Sequence, residues 1–441
     1  MKERPETGIT SGYIQEEADQ IRNEMPHRAG DANGDENKEE TLPDHEAEKQ
    51  AKVALTLLKR RIEDAIQGNH LLGKPKDSKV CQNETLKAIG ELKEIKLWGV
   101  PLNPSKSHAG TDIVLLKFLK SKNYDIRNAF EQLKKTLTWR MEFKVDEILE
   151  ERLDPEFEKV SYLNIIDKEG RPLFSNVYGG LKDEHSKKFD PEKHYGKFLR
   201  WRVKYMEKCM KELSFEPGGV DSMTQVIDWE DVHGLHSKEF RSVYRKWWTL
   251  LDEHYPEIVR RKIILNIPLW FHVSLSFSSR LITHKMHGKT IFARQGKATE
   301  TLLKFVSPEN LPVEHGGLKR TDDNEFSPED KTTEVNLKAH ATEEIKIPAP
   351  KAGVTIVWDV TVVGWEVRYK EEFVPEDEGS YRVALQEKEK KGEEKQNVRN
   401  VFYIQEAGKI LISIHNCTNK CKKAFYRYKT RPTAPVYTSQ K

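Results

Sequence analysis

Four stretches of this sequence hold residues that could do chemistry. Gly288-Lys289-Thr290 has the ending of a phosphate-binding P-loop, where backbone N–H groups and a lysine cradle phosphates. The motif also needs a glycine at position 283, which is Thr283, and a strand leading in, where the pattern here is helical. Nucleotide binding is therefore a poor reading. Cys417 and Cys421 bracket a turn beside His415, but one Cys-x3-Cys pair falls short of a closed zinc site. His284 and His287 lie three apart without a third ligand and read as solvated. No Gly-x-Ser-x-Gly elbow occurs, and Cys81 and Cys209 have ordinary loop or helix settings, so no catalytic residue is expected.

The fourth stretch is basic. From Ala407 to Lys441 there is no acidic residue, and Lys420, Lys422, Lys423, Arg427 and Lys429 interleave with Phe425, Tyr426 and Tyr428. Near an anionic leaflet each such cation contributes about 1 kcal/mol. The plain alternative is a solvated final strand. Nucleic acid would suit basic and aromatic interleaving, but no RNA-binding motif accompanies it, and it is not expected as a partner.

Charge is distributed to match. Residues 1–50 hold 14 Asp/Glu against 6 Lys/Arg, so with a net charge of +3 the remainder is strongly basic. An acidic stretch with few apolar residues cannot offset its ordering entropy, which reads as a disordered tail. Four cysteines in 441 residues make no disulfide framework, and the charged Met1–Glu6 start shows no signal peptide, so a reducing cytoplasmic setting is expected. The longest uncharged run, Ile263 to Ser279, is broken by Asn266, Pro268 and His272 and is too short to span a bilayer.

The elements that must position these residues change character along the chain. Residues 51–152 read as a helical module, with Leu55, Leu58, Ile62 and Ile66 at helical spacing, a weaker helical stretch over Leu86–Leu97, and a helix opening at Thr111-Asp112. Residues 153–318 alternate strands (Val160–Ile166, Pro172–Tyr178, Met223–Trp229, Lys262–Ile267, Thr290–Ala293) with helices (Pro191–Leu213, Ser237–His254, Phe271–Met286, Thr299–Val306). That order implies parallel pairing with helices on the sheet. A polar linker is expected over 319–342. Beyond it the period drops to two, and short strands such as Thr355–Val363, Trp365–Phe373 and Lys409–His415 argue a β-sandwich over 343–434. The fold class is α/β plus all-β.

Several motifs along this frame resemble the CRAL-TRIO lipid-binding family. They are Asp112–Leu119 with Trp139-Arg140, the strand Val226-Ile227-Asp228, His254-Tyr255-Pro256-Glu257, Ile263–Pro268, and the closing Glu309–Gly317. The flanking Leu97-Trp98-Gly99-Val100-Pro101-Leu102 and Val362-Val363-Gly364-Trp365-Glu366-Val367 resemble hallmarks of the plant patellins, which join an acidic tail, a CRAL-TRIO domain and a GOLD β-sandwich. The likeness covers about residues 85–435.

The resemblance implies a non-enzymatic, peripheral membrane protein that binds phosphoinositides and serves membrane trafficking, including cell-plate formation in cytokinesis. It implies no cofactor beyond a bound phospholipid or other hydrophobic ligand, and a possible protein partner for the GOLD domain. Phe271, Val273, Leu275, Phe277, Leu281 and Ile282 lie where the family has a mobile gate helix. In phosphatidylinositol-binding members a glutamate after Tyr-Pro and a lysine past the gate help form the head-group site; here these are Glu257 and Lys289. A lysine supplies a point charge for phosphate, and a carboxylate accepts hydroxyl hydrogen bonds. The plain alternative pairs Glu257 with Arg260 or Arg261. Patellins usually carry Pro-Phe-Leu near the gate's end and threonine three residues before the lysine, where this chain has Ser279-Arg280-Leu281 and Met286. That departure leaves the head group open. The alternative function is a protein-interaction scaffold with a vestigial pocket.

Overall fold

The computed structural model describes residues 44–68, 70–72, 94–152, 161–177, 191–230, 238–267, 289–390 and 397–432. Of the expected acidic tail 1–50, residues 1–43 lie outside them, as does the expected gate helix, whereas residues 44–50 open a helix instead of continuing a disordered tail.

The helical module begins with α1 (Asp44–Gln67), whose Leu58, Ile62 and Ala65 are fully buried at helical spacing. It packs on α2 (Ala109–Ser121) and α3 (Ile126–Glu142). The His108 ring accepts the Gly110 N–H to start α2, and Asp125 accepts the Asn128 N–H to start α3. The helical reading of Leu86–Leu97 fails at its end. Lys96–Leu97 (β1) instead pairs antiparallel with Val100–Pro101 (β2), around Trp98 at φ 53° and Gly99 at φ 80°. Tertiary stacking holds this turn: the Trp98 ring lies on Phe118, Phe215 and Tyr255 at centroid distances of 5.9, 5.6 and 6.4 Å. It fastens the helical module to the domain that follows.

That domain holds a five-stranded sheet in the order β3 (Ser161–Ile166), β4 (Pro172–Val177), β5 (Met223–Asp228), β6 (Val259–Ile267), β7 (Thr290–Arg294). The β3–β4 hairpin is antiparallel and the other three pairings are parallel. Strands β5 and the second half of β6 are buried along their length, as a sheet covered on both faces requires. One face, with Phe174, Met223, Ile227 and Ile264, shares a core with α4 (Pro191–Met210), α5 (Lys238–His254) and the helical module. The other face, with Leu173, Val226, Ile263 and Leu265, packs on the short α6 (Ala298–Leu302). The closing Gly316-Gly317 needs both glycines. Gly316 stands at φ 80°, and a Cβ on Gly317 would meet the Leu311 carbonyl oxygen at 2.0 Å.

Two four-stranded antiparallel sheets form the C-terminal sandwich. One is β13 (Val398–Ile404), β10 (Val354–Val362), β15 (Lys422–Pro432), β8 (Thr333–Leu337); the other is β12 (Val383–Lys390), β11 (Val367–Pro375), β14 (Gly408–Asn416), β9 (Thr342–Ala349). Their facing residues make a separate core around Trp358, Ile412 and Tyr369. The stretch expected as a polar linker is bound to this sandwich. It supplies the edge strand β8, and Phe326 is buried beneath the guanidiniums of Arg427 and Arg399 at 4.3 and 5.1 Å.

At the junction a buried charge cluster joins the two domains. Asp359, fully buried on β10, accepts hydrogen bonds from Arg399 at 2.7 Å and from Arg427 at 3.0 and 3.1 Å. Arg399 also forks onto Asp323 at 2.7 and 2.8 Å. Arg427 then donates to the Leu318 carbonyl, and Thr361 to that of Gly316, so the end of the α/β domain is hydrogen-bonded into the sandwich.

Candidate functional site

Glu257 and Lys289 lie 32 residues apart in sequence and meet. Lys289 Nζ donates to Glu257 Oε2 at 2.6 Å, with about a third of the two side chains exposed (28% for Glu257, 42% for Lys289). Each is placed by backbone. Glu257 follows Tyr255-Pro256 at φ 55°, in the turn between α5 and β6. Lys289 precedes β7, and its carbonyl accepts the Lys262 N–H at 2.7 Å. Neither Arg260 nor Arg261 takes Glu257: Arg261 is paired with Glu169 at 3.0 Å.

Two further lysines flank the pair, and sequence reasoning had not singled them out. Lys117, buried on α2, donates to the Glu257 carbonyl at 3.2 Å and pairs with Asp221 at 3.1 Å. Burial pulls its ammonium below the usual lysine range. Lys262 on β6 lies 3.6 Å from the centre of the Trp248 ring. Burial pushes it down to about 8; nearby Asp252 opposes this and Lys289 reinforces it. The signal for Lys117 was in the sequence, since a lysine between Leu116 and Phe118 sits on the apolar side of a helix.

The turn that presents Glu257 is braced from the helical module. The His254 ring stacks on Trp139, with centroids 4.1 Å apart and planes 2° apart. Gln132 donates to the carbonyls of Asp252 and Glu253, and Thr136 to that of Glu253. Tyr255 OH donates to Glu207 Oε1 at 2.5 Å, and Arg140 clamps the same carboxylate at 2.8 and 3.2 Å. Burial, followed by the Glu207 carboxylate, keeps the Tyr255 phenol protonated far above its usual range. Trp139-Arg140 and His254-Tyr255-Pro256-Glu257, quoted separately from sequence, are thus two halves of one brace.

The gate residues Phe271, Val273, Leu275, Phe277, Leu281 and Ile282, and Met286, lie outside the described residues. Of the expected membrane cations on β15 and its preceding turn, Arg427 needs correction, while Lys420, Lys423 and Lys429 are exposed. Arg427 is buried in the junction cluster and cannot face a membrane. Lys422 donates to the Gly364 carbonyl, Lys423 pairs with Glu334 at 2.6 Å, and Lys429 with Asp330 at 2.5 Å. Lys420 is exposed and adds a field that favours the charged form of Glu300. A second charged surface lies along β7 and α6, where Arg294, Lys297, Lys304 and Glu300 border a groove of about 400 Å³ with Phe292, and Lys297 pairs with Glu300 at 2.7 Å. Among the described residues no cluster of three or more His, Cys, Asp and Glu could hold a metal ion. Cys417 and Cys421 are free and exposed.

Family profiles match both domains. One described as "CRAL/TRIO domain" covers residues 156–317, and one described as "Patellin-1-like, C-terminal GOLD domain" covers residues 338–423. The chain is 42% identical to Patellin-4 of Arabidopsis thaliana over 339 residues, which is 77% of this chain and 62% of Patellin-4. It therefore spans less than two thirds of that relative. It is 37% identical to Patellin-6 of the same plant over 365 residues, 81% of this chain and 88% of Patellin-6. It is also 30% identical to the phosphatidylinositol transfer protein sfh5 of Botryotinia fuckeliana (strain B05.10) over 256 residues, 53% of this chain and 55% of that protein.

Proposed function

This chain belongs to the patellin family, and from that premise we propose that it is a non-enzymatic lipid-binding and lipid-transfer protein working at membrane surfaces. The observation that carries the reading is the Glu257–Lys289 pair between Lys117 and Lys262. A phosphate arriving at this pair takes the Lys289 ammonium from Glu257 and gains a charge-assisted hydrogen bond. The freed carboxylate then accepts from hydroxyls on the same head group. An inositol phospholipid offers both groups at that spacing, and a choline lipid offers only the phosphate.

No helix among the described residues is long and apolar enough to cross a membrane. Anionic lipid surfaces are the proposed partner, met through Arg294, Lys304 and Lys420 together with the exposed Lys423 and Lys429 of β15. Service in membrane trafficking such as cell-plate formation, and a protein partner for the sandwich, are expectations the family resemblance supplies. Transfer of labelled phosphatidylinositol between vesicles tests the reading. Wild type should move it, and Lys289→Ala and Glu257→Ala should each slow the transfer at least tenfold. A chain that neither binds nor moves any phospholipid would favour the scaffold reading.

A further inference from the structure

The outer face of α1 leaves two large apolar side chains in solvent, Val53 and Leu57, one turn apart. Beside them a groove of about 710 Å³ runs between α1 and the turn joining α2 to α3. Leu57, Tyr124 and Ile126 wall it, and Arg60, Arg61 and Arg127 rim it. Of its two acids, Asp125 is occupied in capping α3. Arg61 lies over Phe130, while Arg60 and Arg127 are exposed. The groove is suited to an apolar stripe with acidic flanks.

The sequence ahead of α1 holds such a stripe. Ile14, Ala18, Ile21 and Met25 follow one another by four, three and four positions, which is one face of a helix. Glu16, Glu17, Asp19 and Glu24 accompany them against the single Arg22, and Pro26 ends the pattern. As a helix, residues 14–25 span about 18 Å, and the α1 face from Val53 to Asp64 spans about 17 Å. The 18 residues between Met25 and Asp44 reach up to about 60 Å when extended, ample to turn back along α1. A tether of that kind sets a local concentration in the millimolar range, which favours the segment of the same chain over that of a second copy.

We propose that residues 14–25 dock as an acidic amphipathic segment in the arginine-rimmed groove between α1 and the α2–α3 turn of the same chain. The apolar stripe covers Val53 and Leu57, and Glu17 and Glu24 face Arg60 and Arg127. Such helix-in-groove seating reads its ligand through anchors at i, i+4, i+7 and i+11. Docking is independent of lipid binding at Glu257 and Lys289.

Hydrogen–deuterium exchange on the full chain tests it. Amides of residues 14–25 should exchange at least tenfold more slowly than those of 30–43. The double variant Arg60→Glu, Arg127→Glu changes only exposed side chains and should remove most of that protection. Adding Glu17→Arg and Glu24→Arg should restore it. Free-chain exchange of residues 14–25 in the wild type would overturn the proposal, as would protection indifferent to the charge reversal. Protection that grows with protein concentration would place the segment on a second copy and overturn docking within one chain.

Discussion

The two domains each carry a cluster of opposed charges, and burial gives them different work. In the α/β domain, Lys289 and Glu257 pair while partly in water, with Lys262 nearby, its proton affinity lowered first by its own burial and then by the Lys289 charge. At the junction, Asp359 is fully buried between Arg399 and Arg427, with Asp323 alongside. An exposed pair contributes about 0–1 kcal/mol and exchanges partners easily. A buried carboxylate holding two guanidiniums cannot release either without leaving a charge in low dielectric. On the proposed reading the first cluster trades a carboxylate for an incoming phosphate, while the second locks the α/β domain to its sandwich.

The sharpest way to break that contrast is to cut each cluster once. Asp359→Ala should destabilise the chain by about 3–5 kcal/mol, because Arg399, Arg427 and Arg320 lose their buried partner. Lys289→Ala should change stability by no more than about 1 kcal/mol. Denaturant unfolding of both variants checks this, and equal losses would erase the distinction.

Acid should separate the domains in a smaller but related way. Burial pushes His254 down to about 4, so the unfolded chain takes up that proton first. The stability tied to its neutral ring is present above pH 6.5 and is lost as pH falls from there to about 4. At Asp323 burial works the other way, but the Arg399 fork and the Glu325 and Phe326 N–H groups win and hold the carboxyl at about 2. Its contribution is present above the usual carboxylate range and fades only as pH falls through 2. Hydrogen exchange near pH 4.5 should therefore show the brace around His254 loosening while β10 and β15 stay protected.

The smallest effect concerns Lys262. Because burial sets its ammonium near 8, anionic lipid binding should weaken as pH rises through 8. In Lys262→Met that pH dependence should vanish, with affinity already down about fivefold. Vesicle titrations at pH 7 and pH 9 measure both.

Much of this frame was legible because period and punctuation agreed. Leu58, Ile62 and Ile66 keep helical spacing on α1, and the β-branched run Thr355–Val363 forms a strand buried almost along its whole length. The failures came where distant residues decided local shape. Leu97-Trp98-Gly99 turns because Trp98 finds Phe118, Phe215 and Tyr255, none of them near in sequence. Thr333–Leu337 reads as polar linker because an edge strand on β15 buries little, and only Leu337 is fully covered. Arg427 looks like its basic neighbours until Asp359 is placed opposite it by the β10–β15 register. Within the candidate site, Glu257 and Lys289 came from family likeness, Lys117 left a signal in its apolar neighbours, and Lys262 emerged only with three-dimensional placement.

The most direct test of the central claim is vesicle binding of wild type and Lys289→Ala, measured in parallel with phosphatidylinositol and phosphatidylcholine. Losing a charge-assisted hydrogen bond should weaken inositol-lipid binding by about 10- to 100-fold, with the choline lipid affected several-fold less and thermal stability unchanged. Equal loss for both lipids, or no loss for either, would contradict the head-group role of the Glu257–Lys289 pair.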